Sequence, residues 1–163
     1  MKHKNFFSFF IAAVFLTASF FIFRYDFKIN KPVVDEKVNH IKYVKIAGKI
    51  LLTELALTPE SQGRGLSGRI SLQEDESMLF VFDQPGRYPF WMKDMNFPID
   101  IIWIAGTDFR DLRVVYIKRK ATPESFPETF VSREDAKYVL EVESSFSEKN
   151  NLREGDKVEF LSF

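Results

Sequence analysis

The longest apolar run of the chain lies within its first thirty residues. Residues 6–23 read FFSFFIAAVFLTASFFIF and contain no charged side chain. As a helix this 18-residue run would extend about 27 Å, which is close to the ~30 Å hydrocarbon core of a bilayer. We predict a transmembrane anchor at residues 6–23, preceded by a cytoplasmic stub at residues 1–5.

Basic residues flank the apolar run on both sides. Lys2 and Lys4 precede it and favour a cytoplasmic N-terminus with the domain outside the cytoplasm, whereas Arg24 and Lys28 follow it and weaken that preference. The alternative is a signal peptide cleaved near the small residues 17–19, which would leave an exported protein. A buried core helix is less favoured, because phenylalanines occur on every side of it.

Beyond a charged linker at residues 24–40, short apolar runs alternate with turn residues. Runs rich in Val, Ile, Phe and Tyr at this spacing are typical of a small antiparallel β-sandwich or barrel, so the prediction is a mainly β domain at residues 41–163. The predicted strands are residues 41–46, 49–57, 78–82, 88–93, 100–105, 112–118, 138–143 and 157–163.

Two short helices are predicted between the strands. Thr58 supplies an N-cap oxygen and is followed by a proline and an acidic residue, which favours a helix from about Pro59 toward Leu66. A second helix is predicted at residues 144–150, with a serine as its cap. Residues 119–136 form the longest irregular stretch, and loops of that length are often functional or mobile.

The chain lacks cysteine, and its two histidines are His3 and His40, which lie before the body of the domain. Disulfides, thiolate metal sites and cysteine nucleophiles are therefore excluded. Histidine is the usual general base at neutral pH and the commonest metal ligand. We therefore expect no Ser-His-Asp triad, no histidine-rich zinc site and no cofactor.

Charge is balanced over the whole chain but differs between its parts. Residues 1–31 hold five basic residues and one acidic residue, so the remainder holds 18 basic and 22 acidic residues, a net of −4. Binding to nucleic acid comes mainly from neutralising phosphates. No nucleic-acid partner is expected for a mildly acidic domain.

Seven short motifs occur one after another along the domain. They are TPE at 58–60, RGLS at 64–67, MLFVF at 78–82, FWMK at 90–93, PIDI at 98–101, YVLE at 138–141 and GD at 155–156. In this order the chain resembles the uncharacterised family called domain of unknown function 192, over about residues 42–162, and FWMK and PID are its most specific elements. The resemblance implies a small β-sandwich or barrel, often carried behind a signal peptide or membrane segment, and it implies no reaction.

The chain departs from the family pattern at a few positions. Ser67 stands where methionine is common, Ser77 replaces a glycine, and residues 94–95 (Asp-Met) replace a polar Asn-Thr pair. If that pair contacts a ligand in relatives, the contact is altered in this chain.

Several charged residues lie beside strongly apolar runs, where burial is unfavourable unless the charge is paired. One interpretation is structural: an arginine from the helix near residues 58–68 pairs with Asp100 and holds the helix on the sheet. The other is functional: Arg64, Arg69 and Lys93 form a positive cluster that grips an anionic or polyhydroxyl ligand, with Asp100 orienting them.

Paired carboxylates and aromatic side chains give two further hypotheses. Asp100 with Glu141 or Asp94 would be an acid–base pair of the kind that hydrolyses glycosides. Strand alternation places Trp91 on the face of Lys93, where its ring could form the wall of a pocket and stack on a sugar. Phe90 and Trp103 are instead predicted in the core, where aromatic side chains dominate apolar burial, and Trp91 is left open between the two roles.

The leading interpretation is a non-catalytic, membrane-anchored extracytoplasmic domain that binds a small polar ligand, a glycan or a protein partner. Its predicted ligand-binding residues are Arg64, Arg69, Trp91, Lys93 and Asp100. The enzyme alternative is a carboxylate-based hydrolase of cell-envelope glycans, which requires two carboxylates about 5–10 Å apart in an open cleft. A passive accessory domain is the third hypothesis.

Overall fold

A computed structural model describes residues 38–162 of the chain. The predicted stub, the predicted transmembrane segment at 6–23 and most of the linker at 24–40 lie outside these residues. Among residues 38–162, no helix is both long enough and apolar enough to cross a bilayer.

The described residues form nine strands and two short α-helices. They are β1 (Tyr43–Ile46), β2 (Lys49–Ala56), α1 (Pro59–Arg64), β3 (Glu76–Gly86), β4 (Phe90–Trp91), β5 (Ile99–Ala105), β6 (Arg113–Ala121), β7 (Thr129–Phe130), β8 (Ala136–Glu143), α2 (Phe146–Lys149) and β9 (Val158–Leu161). Single 3-10 turns occur at Val38–His40 and Pro123–Ser125. The mainly β class and both short helices are confirmed, and each predicted strand is present.

Two details of the predicted elements are corrected. The run at residues 88–93 keeps only the two residues of β4 as a strand. The stretch at 119–136, predicted to be irregular, contains the end of β6, the 3-10 turn and β7, which pairs with β4 in a small second sheet.

Seven strands form one sheet in the order β6-β5-β8-β3-β2-β1-β9. Neighbouring strands are antiparallel except β2 and β3, which run parallel. A parallel pair needs a long crossover, and the segment containing α1 provides it.

The two edge strands of the large sheet approach each other at one end. Arg113 of β6 bridges Lys157 just before β9, and the backbone N–H of Val158 donates to the carbonyl oxygen of Leu112 at 3.0 Å. The sheet therefore curls into a half-barrel, which is closer to the barrel than to the sandwich among the two predicted architectures.

The curled sheet buries apolar side chains on both faces. Its inner face is the one where β6 and β9 contribute Val114 and Val158 to the same cluster as Leu140 of the central strand β8. Its outer face carries a second cluster that includes Phe90 and Trp103. These two aromatic residues are 9% and 0% exposed, which confirms their predicted place in the core.

Candidate ligand-binding site

A cavity of about 190 Å³ opens on the outer face of the sheet. Residues 62–67, from α1 and the turn after it, form one side of the cavity, and residues 88–91 form another. The sheet contributes Phe80, Phe82 and Glu141. The volume lies below the ~300–1,000 Å³ of pockets that bury drug-sized ligands, so it suits a small group.

Local sequence fixes α1 at the side of this cavity. Thr58 and Ser61 form a reciprocal capping box: the Ser61 N–H donates to the Thr58 hydroxyl at 3.1 Å, and the Thr58 N–H donates to the Ser61 hydroxyl at 3.0 Å. The Gln62 amide then donates to the carbonyl oxygens of Val81 at 2.7 Å and Ala56 at 3.3 Å. These bonds tie the helix to β2 and β3. The helix begins at Pro59, as predicted.

Gly65 ends α1 and passes directly over the floor of the cavity. Its backbone has φ 51° and ψ −132°, a combination that side chains with a Cβ adopt only under strain. A Cβ at this position would lie 3.2 Å from Cζ of Phe80 and 3.7 Å from Oε2 of Glu141. Glycine therefore lets the backbone approach the Glu141 carboxyl group without covering it.

Glu141 is the buried acid of the cavity, with only 5% of the residue exposed. It lies on β8 between Met78 of β3 and Ile101 of β5, which are its register partners. Its Oε2 has no hydrogen-bond partner among the described residues. Burial raises the pKa of this carboxyl group to about 8, and the charge of Arg69 opposes that rise only in part. At neutral pH the group is therefore mostly a neutral acid that can donate its O–H.

Aromatic rings form much of the wall. Phe82 and Tyr88 stack with ring centroids 3.5 Å apart, and Phe90 meets Phe80 edge to face at 4.8 Å. The Tyr88 hydroxyl donates to the Gln84 carbonyl at 2.6 Å. Burial is the main reason that the pKa of Tyr88 is raised, with a smaller contribution from nearby acidic residues.

The predicted binding residues separate into two groups. Arg64 and Trp91 line the cavity, and Trp91 is 46% exposed at its rim. Arg69 forms an ion pair with Glu54 at 2.6 Å, and its charge also lowers the pKa of Glu141. Lys93 does not line the cavity; its backbone carbonyl accepts a hydrogen bond from the Ser67 hydroxyl at 2.8 Å.

Asp100 lies on the other side of the sheet. Its register partner Val142 belongs to the inner cluster, and Asp100 is fully buried there. Its carboxylate accepts backbone N–H groups from Lys120 at 2.8 Å, Ser147 at 2.9 Å and Ser145 at 3.3 Å. The predicted arginine partner from α1 is therefore wrong, because alternation along β5 turns Asp100 away from the face that α1 covers.

The same alternation separates the predicted carboxylate pair. Glu141 shares its face with Ile101, whereas Asp100 points to the opposite face, so the two carboxyl groups cannot act on one bond. Asp94 is exposed and does not line the cavity. The described residues thus place one carboxyl group, not two, in this cavity.

Some residues of the site were not predicted as ligand-contacting. Glu141 was considered only as half of a catalytic pair, and Gln62, Gly65 and Phe82 were not considered as cavity residues. An available signal was the position of Glu141 between apolar residues in the run YVLEV at 138–142, because burial of an acid in a strand is unfavourable unless it is compensated.

A second, larger cavity of about 430 Å³ lies near the start of β2 and is lined by several charged residues. Three of its five charged residues are already paired with one another. The Lys149 ammonium group lies 2.8 Å from the Glu74 carboxylate and 3.3 Å from the Glu143 carboxylate. We therefore do not assign a ligand to it.

Comparison with known proteins gives a family and a fold but no reaction. The family model for domain of unknown function 192, described as "Uncharacterized ACR", matches residues 42–160, which confirms the family indicated by the motifs. No curated protein matches the chain.

Two solved structures are similar to the chain. One is a protein of unknown function from Novosphingobium aromaticivorans DSM 12444, with 31% identity, a TM-score of 0.67 and coverage of 74% of this chain and 85% of that one. The other is from Sinorhizobium meliloti 1021 and carries a provisional description as a transcription regulator, with 30% identity, a TM-score of 0.65 and coverage of 72% and 92%.

Proposed function

The chain belongs to the uncharacterised family domain of unknown function 192, and we propose that its domain binds a small polar ligand in the cavity above Glu141. One observation carries the proposal: a carboxyl group that is 5% exposed, borders a cavity and has no hydrogen-bond partner for Oε2 among the described residues. Leaving such a group without a partner is unfavourable. A ligand that offers a polar atom to Glu141 offsets this desolvation.

The walls of the cavity support recognition of a small group. Stacked and edge-to-face rings give a rigid apolar surround, and a few polar groups among apolar walls are the usual composition of a ligand site. Arg64 and Trp91 at the cavity remain the two sequence-predicted residues within reach of a ligand.

A binding role fits this geometry better than hydrolysis. Glycoside hydrolysis uses two carboxyl groups flanking the bond, and the cavity offers Glu141 alone among the described residues. The domain holds no histidine after His40, so the usual neutral general base is missing as well.

We also propose that residues 6–23 anchor the domain at the outer side of the cytoplasmic membrane, with the N-terminus inside. The support is the uncharged 18-residue run and the lysines that precede it. Export after cleavage near residues 17–19 remains the competing hypothesis. A role at DNA, which the description of the Sinorhizobium meliloti structure raises, is not favoured by the net charge of −4 after residue 31.

The binding proposal is tested by thermal shift of the full chain in non-ionic detergent against a mixed panel of amines, carboxylates, amino acids and monosaccharides. We expect at least one compound to raise Tm, since a ligand of the native state stabilises it by about 2.7 kcal/mol at 100 times its Kd. Glu141→Gln should abolish the rise, and Trp91→Ala should reduce it.

Lys93→Ala is the matched control, because Lys93 lies outside the cavity. It should leave the rise in Tm unchanged. The proposal is contradicted if the whole panel leaves Tm unaffected, or if every stabilising compound acts equally well on Glu141→Gln.

A further inference from the structure

The aromatic rings and Glu141 together determine which ligand charge the cavity favours. Five aromatic side chains line it, namely Phe80, Phe82, Tyr88, Phe90 and Trp91. Aromatic rings carry a negative face and a positive edge, so a ring that turns its face to the cavity attracts a cation, and quaternary ammonium groups are recognised in this way.

The carboxyl group of Glu141 has the matching charge in its ionised form, and it lacks a compensating partner. The nearby cation is Arg69, whose charge lowers the pKa of the Glu141 carboxyl group but does not overcome the effect of burial. Arg69 is itself bound to the Glu54 carboxylate at 2.6 Å. A cation that enters the cavity would therefore meet a buried carboxyl group whose charge has not been neutralised by an ion pair.

Among the other residues around the cavity, Arg64 and Tyr88 are titratable, and the positive charge of Arg64 opposes a bound cation. The register partners of Glu141 on the neighbouring strands, Met78 and Ile101, are apolar. Arg64 lines the mouth of the cavity, is exposed and has no ion-pair or hydrogen-bond partner for its guanidinium group among the described residues. Tyr88 is the remaining titratable side chain of the wall.

We infer that the cavity binds an ammonium group, with Glu141 as its counter-ion and the surrounding rings as its cage. The inference rests on the proposed function and specifies its ligand class. A trimethylammonium head group or a protonated primary amine suits a cavity of about 190 Å³, whereas an extended glycan would contact only its mouth.

An anionic ligand is the opposite assignment, and it uses the same residues differently. An anion would pair with Arg64 and accept a hydrogen bond from the O–H of neutral Glu141. The two assignments therefore predict opposite effects of removing the Arg64 charge. Its loss weakens the binding of an anion, whereas a cation binds as tightly as before or more tightly.

Binding of a cation displaces the proton of Glu141. With a folded-state pKa of about 8, the free protein must release a proton before the carboxylate can pair with the ligand. The affinity for a permanent cation should therefore rise about tenfold per pH unit up to pH ~8 and level off above it, since one pKa unit is a tenfold change in population. Such a ligand does not titrate itself, so the pH dependence reports on the protein.

The test is isothermal titration calorimetry of the full chain in non-ionic detergent with choline and with 3,3-dimethyl-1-butanol, its neutral isostere, at pH 6, 7, 8 and 9. At pH 9 we expect choline to bind at least tenfold more tightly than the isostere, and from pH 6 to 8 the choline affinity should follow the pH dependence given above. Glu141→Gln should remove the pH dependence and weaken choline at least tenfold at pH 9. Arg64→Ala should bind choline as tightly as the wild type or more so.

Trp91→Ala provides a second variant that does not alter the buried acid, and it should weaken choline about threefold to tenfold through loss of one ring. Equal binding of choline and its isostere, or binding of sodium acetate that Arg64→Ala and Glu141→Gln both remove, would overturn the ammonium assignment. Acetate binding of that kind would leave the proposed binding function standing. If choline does not bind and no compound of the thermal-shift panel raises Tm, both the ammonium assignment and the proposed binding function are contradicted.

Discussion

Glu141 carries a carboxyl group that the fold takes out of water without giving Oε2 a hydrogen-bond donor from the described residues. Burial raises its pKa from 4.5 to about 8. The arginine partner predicted for Asp100 is wrong, because Asp100 accepts backbone N–H groups instead. Glu141 is kept mostly neutral by burial, which the nearby charge of Arg69 opposes only in part.

The shifted pKa of Glu141 predicts a specific pH dependence of stability. Between pH ~4.5 and ~8 the acid is ionised in the unfolded chain and protonated in the folded one, so folding takes up a proton. Its contribution to the free energy of unfolding should fall by about 1.4 kcal/mol per pH unit across that window and stay constant above it.

Urea unfolding at pH 5, 6, 7 and 8 checks this prediction through the difference between Glu141→Gln and wild type. The variant should gain relative stability with each step in pH. Glu154→Gln, which changes an exposed glutamate, should show no such trend. A difference that is the same at all four pH values would contradict a protonated Glu141.

Gly65 gives a second prediction for a single residue. Gly65→Ala should destabilise the domain by about 1–3 kcal/mol, because its backbone conformation is strained for any residue with a Cβ and the new Cβ would press on Phe80 at 3.2 Å. Gly63→Ala is the control: nothing lies within 4 Å of its Cβ, and alanine in a helix should stabilise by about 0.5–1 kcal/mol. Thermal unfolding of both variants measures the contrast, and equal effects would refute it.

The elements around the sheet are held by side chains that satisfy backbone groups. Gln62 ties α1 to two strand carbonyls, and Asp100 ties β5 to β6 and to the start of α2. The two helices therefore sit on opposite faces of the sheet, each fixed by one polar side chain. This division explains why α1 can frame the cavity while Asp100 takes no part in it.

Asp100→Asn should accordingly lower the free energy of unfolding by about 2–3 kcal/mol, because hydrogen bonds to a charged acceptor are lost and an amide N–H₂ faces backbone donors. Ligand binding by the protein that remains folded should be unaffected, since Asp100 lies across the sheet from the cavity. Urea unfolding measures the free energy of unfolding, and calorimetry with a cavity ligand measures the binding affinity. Asp75→Asn, at an exposed aspartate, is the control.

Patterns local in the chain predicted most of these elements. The apolar runs gave the strands, and the capping residue with its following proline gave the start of α1 at Pro59. Alternation also placed Trp91 and Phe90 on different faces, and the structure shows them exposed to different extents, 46% and 9%. The curl of the sheet and the parallel β2–β3 pair depend on contacts between distant segments, which no local pattern encodes.

The candidate site was predicted only in part for the same reason. Arg64 reaches the cavity from the last residue of α1, and Trp91 reaches it from β4. The partners of Asp100 could not be predicted from composition, because they are backbone N–H groups of residues 120, 145 and 147. Backbone donors do not depend on the identity of the side chain. The role of Gly65 depends on its closeness to Glu141, which lies 76 positions further along the chain.

The whole chain combines this domain with an N-terminal apolar run whose function is a proposal. If residues 6–23 anchor the protein, the chain should remain in the membrane pellet after a carbonate wash, with the intact mass of 19.1 kDa. A variant that lacks residues 1–23 should appear in the soluble fraction. A mature form that begins near residue 20 and is released from the membrane would instead support cleavage of a signal peptide.

The proposed site depends on a Glu141 carboxyl group that stays protonated at neutral pH. The most direct measurement is a carbon-13 NMR titration of the Glu141 side-chain carboxyl, assigned by its loss in Glu141→Gln. We predict a titration midpoint near pH 8. A midpoint near 4.5, the ordinary value for glutamate, would show that water or a cation already compensates the carboxylate, and it would contradict the account.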